Sequence, residues 1–187
     1  MLAAMHIKRP LAVLAATFLA SHLATAQVLN ELESLLAALK TAPTEQAAGE
    51  LERRIRDQWL KAGTPATTVL LRRSMRDLSN HDVDEALTDI ESALMLEPDL
   101  TEAFYRRAVV KFEAGNYNDA LADLQETLHR EPRHFLALQT LSRIAESRQD
   151  WKGALAAFKR VLEIDPKTPG GSERLNMLEQ KVKGTSL

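Results

Sequence analysis

Apolar positions along this chain recur with the spacing of one-sided helices. Between Val28 and Lys40 leucines stand at 29, 32, 35, 36 and 39, the i, i+3, i+4, i+7 rhythm of an amphipathic helix. Thr41-Ala42-Pro43 stops it. Thr44 suits an N-cap, and Glu45 places a carboxylate in the first turn of a second helix that runs to about Ala62. Its apolar side carries Ala48, Leu51, Ile55, Trp59 and Leu60, and Gly63 stands where a C′ glycine ends a helix. Thr64-Pro65 opens a third helix, about Ala66–Ser79, and a fourth follows over about Asp82–Leu96. The pattern predicts an all-α chain.

From Thr67 onward the pattern repeats itself. Thr67–Leu100, Thr101–His134 and Phe135–Thr168 align, with Pro98, Pro132 and Pro166 each 34 residues apart and Ala86, Ala120 and Ala154 in the same step. Each unit reads as helix, short turn, helix. The turns are Asn80-His81, Ala114-Gly115 and Arg148-Gln149, and the next residues, Asp82, Asn116 and Asp150, are good N-caps. Asp82–Glu85 resembles a capping box. Each second helix stops before its proline, which disfavours the α conformation of the residue ahead of it. A fixed period of this size predicts a stacked array. The expected organisation is a helical hairpin over 27–64, a degenerate or capping unit, then three repeats within 65–168 (67–100, 101–134 and 135–168). Pro169-Gly170-Gly171 breaks the array. Ser172 can cap a last helix, about Glu173–Lys183, so that 169–187 supply a C-terminal capping helix and tail.

The repeats resemble the tetratricopeptide repeat family. In the second unit Phe104, Ala108, Gly115, Tyr117, Ala120, Leu124 and Pro132 carry the resemblance. In the third, Leu138, Leu141, Ser142, Trp151, Ala154, Phe158 and Pro166 do so, and in the first Leu70, Ser74, Ala86, Ile90, Ala93 and Pro98. Arg73 and Arg107 depart from it, standing where the family usually has leucine, as do Asp77 and Lys111 where it often has tyrosine. The resemblance implies a right-handed superhelix of stacked helix–turn–helix units whose first helices line a concave, ligand-binding face. Mapped by position, that groove takes Leu71, Arg72, Met75 and Leu78 from the first unit. The second gives Tyr105, Arg106, Val109 and Phe112, and the third Gln139, Arg143 and Glu146. Tyr105 and Phe112 are the expected anchors, because aromatics dominate desolvated interfaces. The apolar half of such a groove suits an extended or helical peptide, but the N-terminal hairpin or a second subunit can equally cover it.

Other candidate chemistry is thin. Arg72-Arg73 and Arg106-Arg107 can clamp a carboxylate or phosphate, or pair with the array's own acids. His129 and His134 flank a repeat junction, but five residues across a proline is not a metal-ligating helical spacing, and a backbone-bonded histidine accounts for either. No nucleophile elbow, phosphate loop or metalloprotease helix is present, and no long loop encloses a substrate. The chain is therefore expected to be non-catalytic, with no cofactor and no metal.

Composition adds compartment and charge. The net charge of −2 gives no basic field for nucleic acid, and the absence of cysteine excludes disulfides, thiol nucleophiles, thiolate metal sites and a lipidated cysteine. Residues 1–26 follow the order of a secretory leader: Lys8-Arg9, the apolar run Leu11–Ala20, then Ala24-Thr25-Ala26 as a cleavage site. Met5 offers a second start that makes this leader more compact. Cleavage after Ala26 leaves a mildly acidic mature chain, expected in a periplasm and not inserted in the membrane. The leading functional reading is an exported module that binds a protein or peptide partner. The alternative is a self-assembling scaffold, a homo-oligomer whose groove is filled by another subunit.

Overall fold

A computed structural model describes residues 30–184 of the protein. The expected leader, its cleavage after Ala26 and the start of the helix expected from Val28 lie outside the described residues. The described chain is helical throughout, without a strand. Its elements are α1 (30–40), α2 (Glu45–Leu60), α3 (Pro65–Ser79), α4 (Val83–Leu96), α5 (Thr101–Glu113), α6 (Tyr117–Arg130), α7 (Phe135–Ser147), α8 (Trp151–Ile164) and α9 (Gly171–Gly184). No described helix is long and apolar enough to cross a membrane.

Three hairpins, α3–α4, α5–α6 and α7–α8, stack in chain order, and α9 packs on α8 as α5 packs on α4. Small residues allow the close approach within each pair. Ala86, Ala120 and Ala154 are fully buried, and so are Ser74, Ala108 and Ser142 at one matching position of the first helices. Larger side chains at these points would hold the helices apart. Ala103 and Val110 of α5 then join Leu71, Ala86, Ile90 and Ala93 in one core across the first junction.

The turns fix one strained position per unit. His81, Gly115 and Gln149 occupy equivalent places, and all three have positive φ, at 67°, 80° and 60°. The 6→1 bonds from Asp82 N to Asp77 O, Asn116 N to Lys111 O and Asp150 N to Ala145 O close each helix end over that residue. Only the middle unit places glycine there, where L-residues are otherwise strained.

Capping departs from the sequence pattern. Thr44 and Thr64 accept from the N–H of Ala47 and Thr67 as N-caps do. Asp150 caps Gly153 N at 2.9 Å, but Asp82 and Asn116 make no side-chain cap bond. The Asp150 carboxylate sits so close that a Cβ on Gly153 would lie 2.2 Å from its Oδ2. Glu85 and Asp119 hold the matching position in the other units. Gly63 also differs from expectation. It lacks the positive φ of a C′ glycine; instead a Cβ there would meet Thr67 Oγ1 at 2.5 Å and the Glu97 carboxylate at 3.0 Å.

The arginines that replace family leucines, Arg73 exposed and Arg107 half-buried, reach back to buried acids. Asp89 and Asp123 lie at matching positions of α4 and α6 and are each 4% exposed. Arg73 holds Asp89 through two hydrogen bonds. Arg107 grips Asp123 at 2.7 and 2.9 Å, with Lys111 adding a third contact at 2.8 Å. The bond to Asp123 raises the Arg107 pKa further above its ordinary value. In the third unit Leu141 and Ala157 stand at these positions, so an apolar pair there takes the place of the ion pair.

Two outcomes follow. Arg107→Leu alone strands Asp123 with only Lys111 and is expected to cost about 2 kcal/mol, whereas Arg107→Leu with Asp123→Ala falls within about 1 kcal/mol of the parent. Urea unfolding measures both, and a double variant no more stable than the single one contradicts the account. His81→Gly and Gln149→Gly are each expected to add about 0.5 to 1 kcal/mol, and Gly115→Ala to remove about as much, in the same assay.

Candidate functional site

The first helix of each hairpin, α3, α5 and α7, contributes to the inner face. α2 lies across that face rather than stacking on α3 as an end unit. A helix of 16 residues is about 24 Å long, enough to cross three helices at 8–10 Å spacing. At its C-terminal end Thr68 Oγ1 of α3 donates to Leu60 O at 3.3 Å, and Asp57 meets Arg72 at 3.9 Å. The Trp59 indole lies flat on the His134 imidazole, 4.0 Å between centroids and 12° between planes, and tilts against Phe135. Two turns earlier, Glu52 accepts from Thr168 Oγ1 at 3.0 Å, and at the other end Glu45 accepts from Gly170 N at 3.3 Å. α1 lies outside, its Glu33 held by Arg133 at 2.6 and 2.8 Å. Leu35, Leu36, Leu39, Ile55 and Trp59 thereby share one core with Phe135, Leu138, Phe158 and Leu178.

This placement divides the expected groove residues. Leu71 is fully buried and belongs to the core, not to a groove lining. Tyr105 is half-buried against His134, 4.6 Å between ring centroids. Burial pushes its pKa up to about 12, and its ring packs on His134 beneath α2 rather than facing open space. Arg72 is tied to Asp57, Arg106 to Glu102 at 2.7 Å, and Gln139 to Thr168 at 3.5 Å. Toward the C-terminal ends of the inner helices the face is more open. Met75, Leu78, Val109 and Phe112 are half-buried there. Leu78 and Val109 line a shallow hollow of about 410 Å³ with Ser79, His81, Val83 and Glu113. Arg143 closes one side, its guanidinium 4.5 Å above the Phe112 ring and 3.2 Å from Glu113. Glu146 is taken by Arg174 of α9 and by Ser142.

The junctions supply side chains that sequence patterning did not single out. Glu97, Glu131 and Asp165 each precede a repeat proline, yet they are used differently. Burial works against ionisation of Glu97, but hydrogen bonds from Thr64 and Thr67 outweigh it and lower its pKa. Glu131 accepts from Arg133 N and its guanidinium. Asp165 is fully buried, accepts from Lys167 N at 3.2 Å and faces the Glu52 carboxyl of α2. His134 is the N-cap of α7. Its Nδ1 accepts from Ala137 N at 3.2 Å, which puts the ring proton on Nε2, 3.4 Å from Glu102. His129 is exposed, and among the described residues no three His, Asp or Glu side chains converge as metal ligands would.

Comparison with known proteins agrees with this architecture. The tetratricopeptide repeat family model matches residues 105–169. A TPR repeat-containing protein of Rhizobium etli is 30% identical over 155 residues, 83% of this chain and 76% of that protein. Among solved structures, the first TPR of Spaghetti (RPAP3), bound to the HSP90 peptide SRMEEVD, superposes with a TM-score of 0.59 at 18% identity, covering 63% of this chain and 96% of that one. The Sgt2 TPR domain of Aspergillus fumigatus gives 0.60 at 18% identity, covering 66% and 83%. At that identity these two structures speak to the fold. The repeat pattern, the stacked hairpins and the Rhizobium relative place the chain in the tetratricopeptide repeat family.

Proposed function

We propose that the chain is a non-catalytic binding module that takes a protein or peptide segment on the open half of its inner face. The observation that carries this reading is the surface around Leu78, Val109 and Phe112. Leu78 and Val109, apolar side chains from two successive inner helices, border one hollow with Glu113, and Arg143 and Phe112 lie next to Glu113, a charged pair that can orient a peptide backbone or charge. The other half of the face is occupied by α2. The solved Spaghetti domain holds a peptide, and this chain shares its fold. The leader pattern of residues 1–26 supports an exported, periplasmic location for the mature protein.

The reading is tested by selecting peptides from a displayed random library on the full chain and measuring their affinity by calorimetry. Leu78→Ala combined with Val109→Ser is expected to weaken the selected peptides about tenfold, the effect of losing roughly 1.4 kcal/mol of contact, with little change in helicity. Peptides that bind the double variant as tightly as the parent would place the site elsewhere.

A further inference from the structure

We infer that the α1–α2 hairpin is a removable cover on the inner face, latched by a proton shared between Glu52 and Asp165 and released when that proton is lost. This rests on the proposed role of the inner face and concerns its regulation. The seam between hairpin and array is incompletely satisfied in a way that the rest of the molecule is not. Among the described residues two buried side-chain polar atoms lack a hydrogen-bond partner, Trp59 Nε1 and Asp165 Oδ2, and these lie on opposite sides of this seam. Native interiors leave few such atoms, and here both fall at this contact.

The chemistry at Asp165 explains the orphan. Its Oδ1 accepts from Lys167 N, while the single hydroxyl proton of Thr168 goes to Glu52 Oε1. The neighbouring side chain is another carboxyl, that of Glu52, which is an acceptor when ionised. A proton placed between the two acids supplies the missing donor and removes one of two like charges from a buried site. Thr168 works against the rise of the Asp165 pKa, but its one hydroxyl proton is given to Glu52. On α2, Arg56 reaches Glu52 at 3.0 Å from the partly exposed side. On the array side Lys167 contributes its backbone N–H, Gln139 of α7 meets Thr168, and Arg174 of α9 is turned to Glu146. The same junction position in the other units holds Glu97 and Glu131, both supplied with donors. Only the unit facing Glu52 sets acid against acid.

The sign follows directly. Burial and the neighbouring Glu52 raise the docked-state pKa of Asp165 to about 7, well above its ordinary 3.8. The docked state therefore holds its extra proton between these values. Docking is strongest below the ordinary carboxylate pKa, weakens as pH rises toward 7, and is weakest above it. Release uncovers Tyr105, His134 and Phe135, on which Trp59 and its neighbours rest.

The test uses the full chain carrying Trp151→Phe, so that Trp59 is its sole tryptophan. Acrylamide quenching of Trp59 is followed from pH 5 to pH 9, with far-ultraviolet circular dichroism in parallel. Quenching is expected to rise severalfold as pH increases toward 7 and to stay high above it, while helicity stays high. Asp165→Asn and, separately, Glu52→Gln are expected to keep Trp59 protected over the whole range, because each leaves a neutral donor in the pair. A flat profile in the parent overturns the latch, as does the same rise in whichever variants keep parental helicity. Loosening on the acid side also overturns it, since that is the direction expected if protonation of His134 broke its bond to Ala137 N. No peptide enters the measurement, so a failure of the latch is separable from a failure of the binding reading.

Discussion

The array depends on one close contact made three times. Ala86, Ala120 and Ala154, with Ser74, Ala108 and Ser142 on the partner helices, let the two helices of each hairpin approach until their larger neighbours interlock. Because the contact recurs at a fixed step, every unit offers its successor the same surface, and the two ends must be finished differently. α9 finishes the C-terminal end against α8. At the N-terminal end Val69 is 63% exposed, although its counterparts Ala103 and Ala137 are fully buried. Arg76 stands where Val110 and Ile144 are buried, which makes that end partly polar. The hairpin that precedes the array is thus not consumed as an end unit and is available to lie across the inner face.

Most of this fold was legible in the chain because a period is a statement about neighbours. Once Ala86, Ala120 and Ala154 are seen in step, the stack follows, and α2's buried stripe of Ala48, Ile55 and Trp59 is equally plain from helical spacing. The departures at Arg73 and Arg107 were visible as departures. Their partners were not, because an aspartate on the second helix of a hairpin reads as an ordinary surface acid until packing shows it 4% exposed. Two consecutive units share that ion pair and the third replaces it with Leu141 and Ala157. The position therefore tolerates either solution provided both members change together.

The candidate site was legible only by halves. Periodicity tells which side of α2 is buried but not what it is buried against, and here the answer lies far along the chain, as in the bond between Glu52 and Thr168 across 116 residues. The packing of Tyr105 was hidden for the same reason. Its register on α5 is right for the inner face, but its exposure depends on His134 and on a helix that precedes the array. His134 illustrates the converse. Its neighbours in sequence raise a metal reading, while its neighbours in space, Trp59, Tyr105 and the N–H of Ala137, make it the floor on which the cover rests.

On the proposed reading, a half-covered face selects among ligands by length. A short segment seated between Leu78 and Phe112 meets nothing that must move. One that extends along the inner helices toward Tyr105 and His134 has to displace α2, and so must replace the stacking of Trp59, the aliphatic contact of Ile55 and the hydroxyl bond that Thr168 gives Glu52. An amphipathic helix with an aromatic residue one turn or more from an acidic one presents those same groups. α2 is accordingly a template for what the covered half can hold, and its affinity for its own seat sets the threshold that any longer partner must exceed.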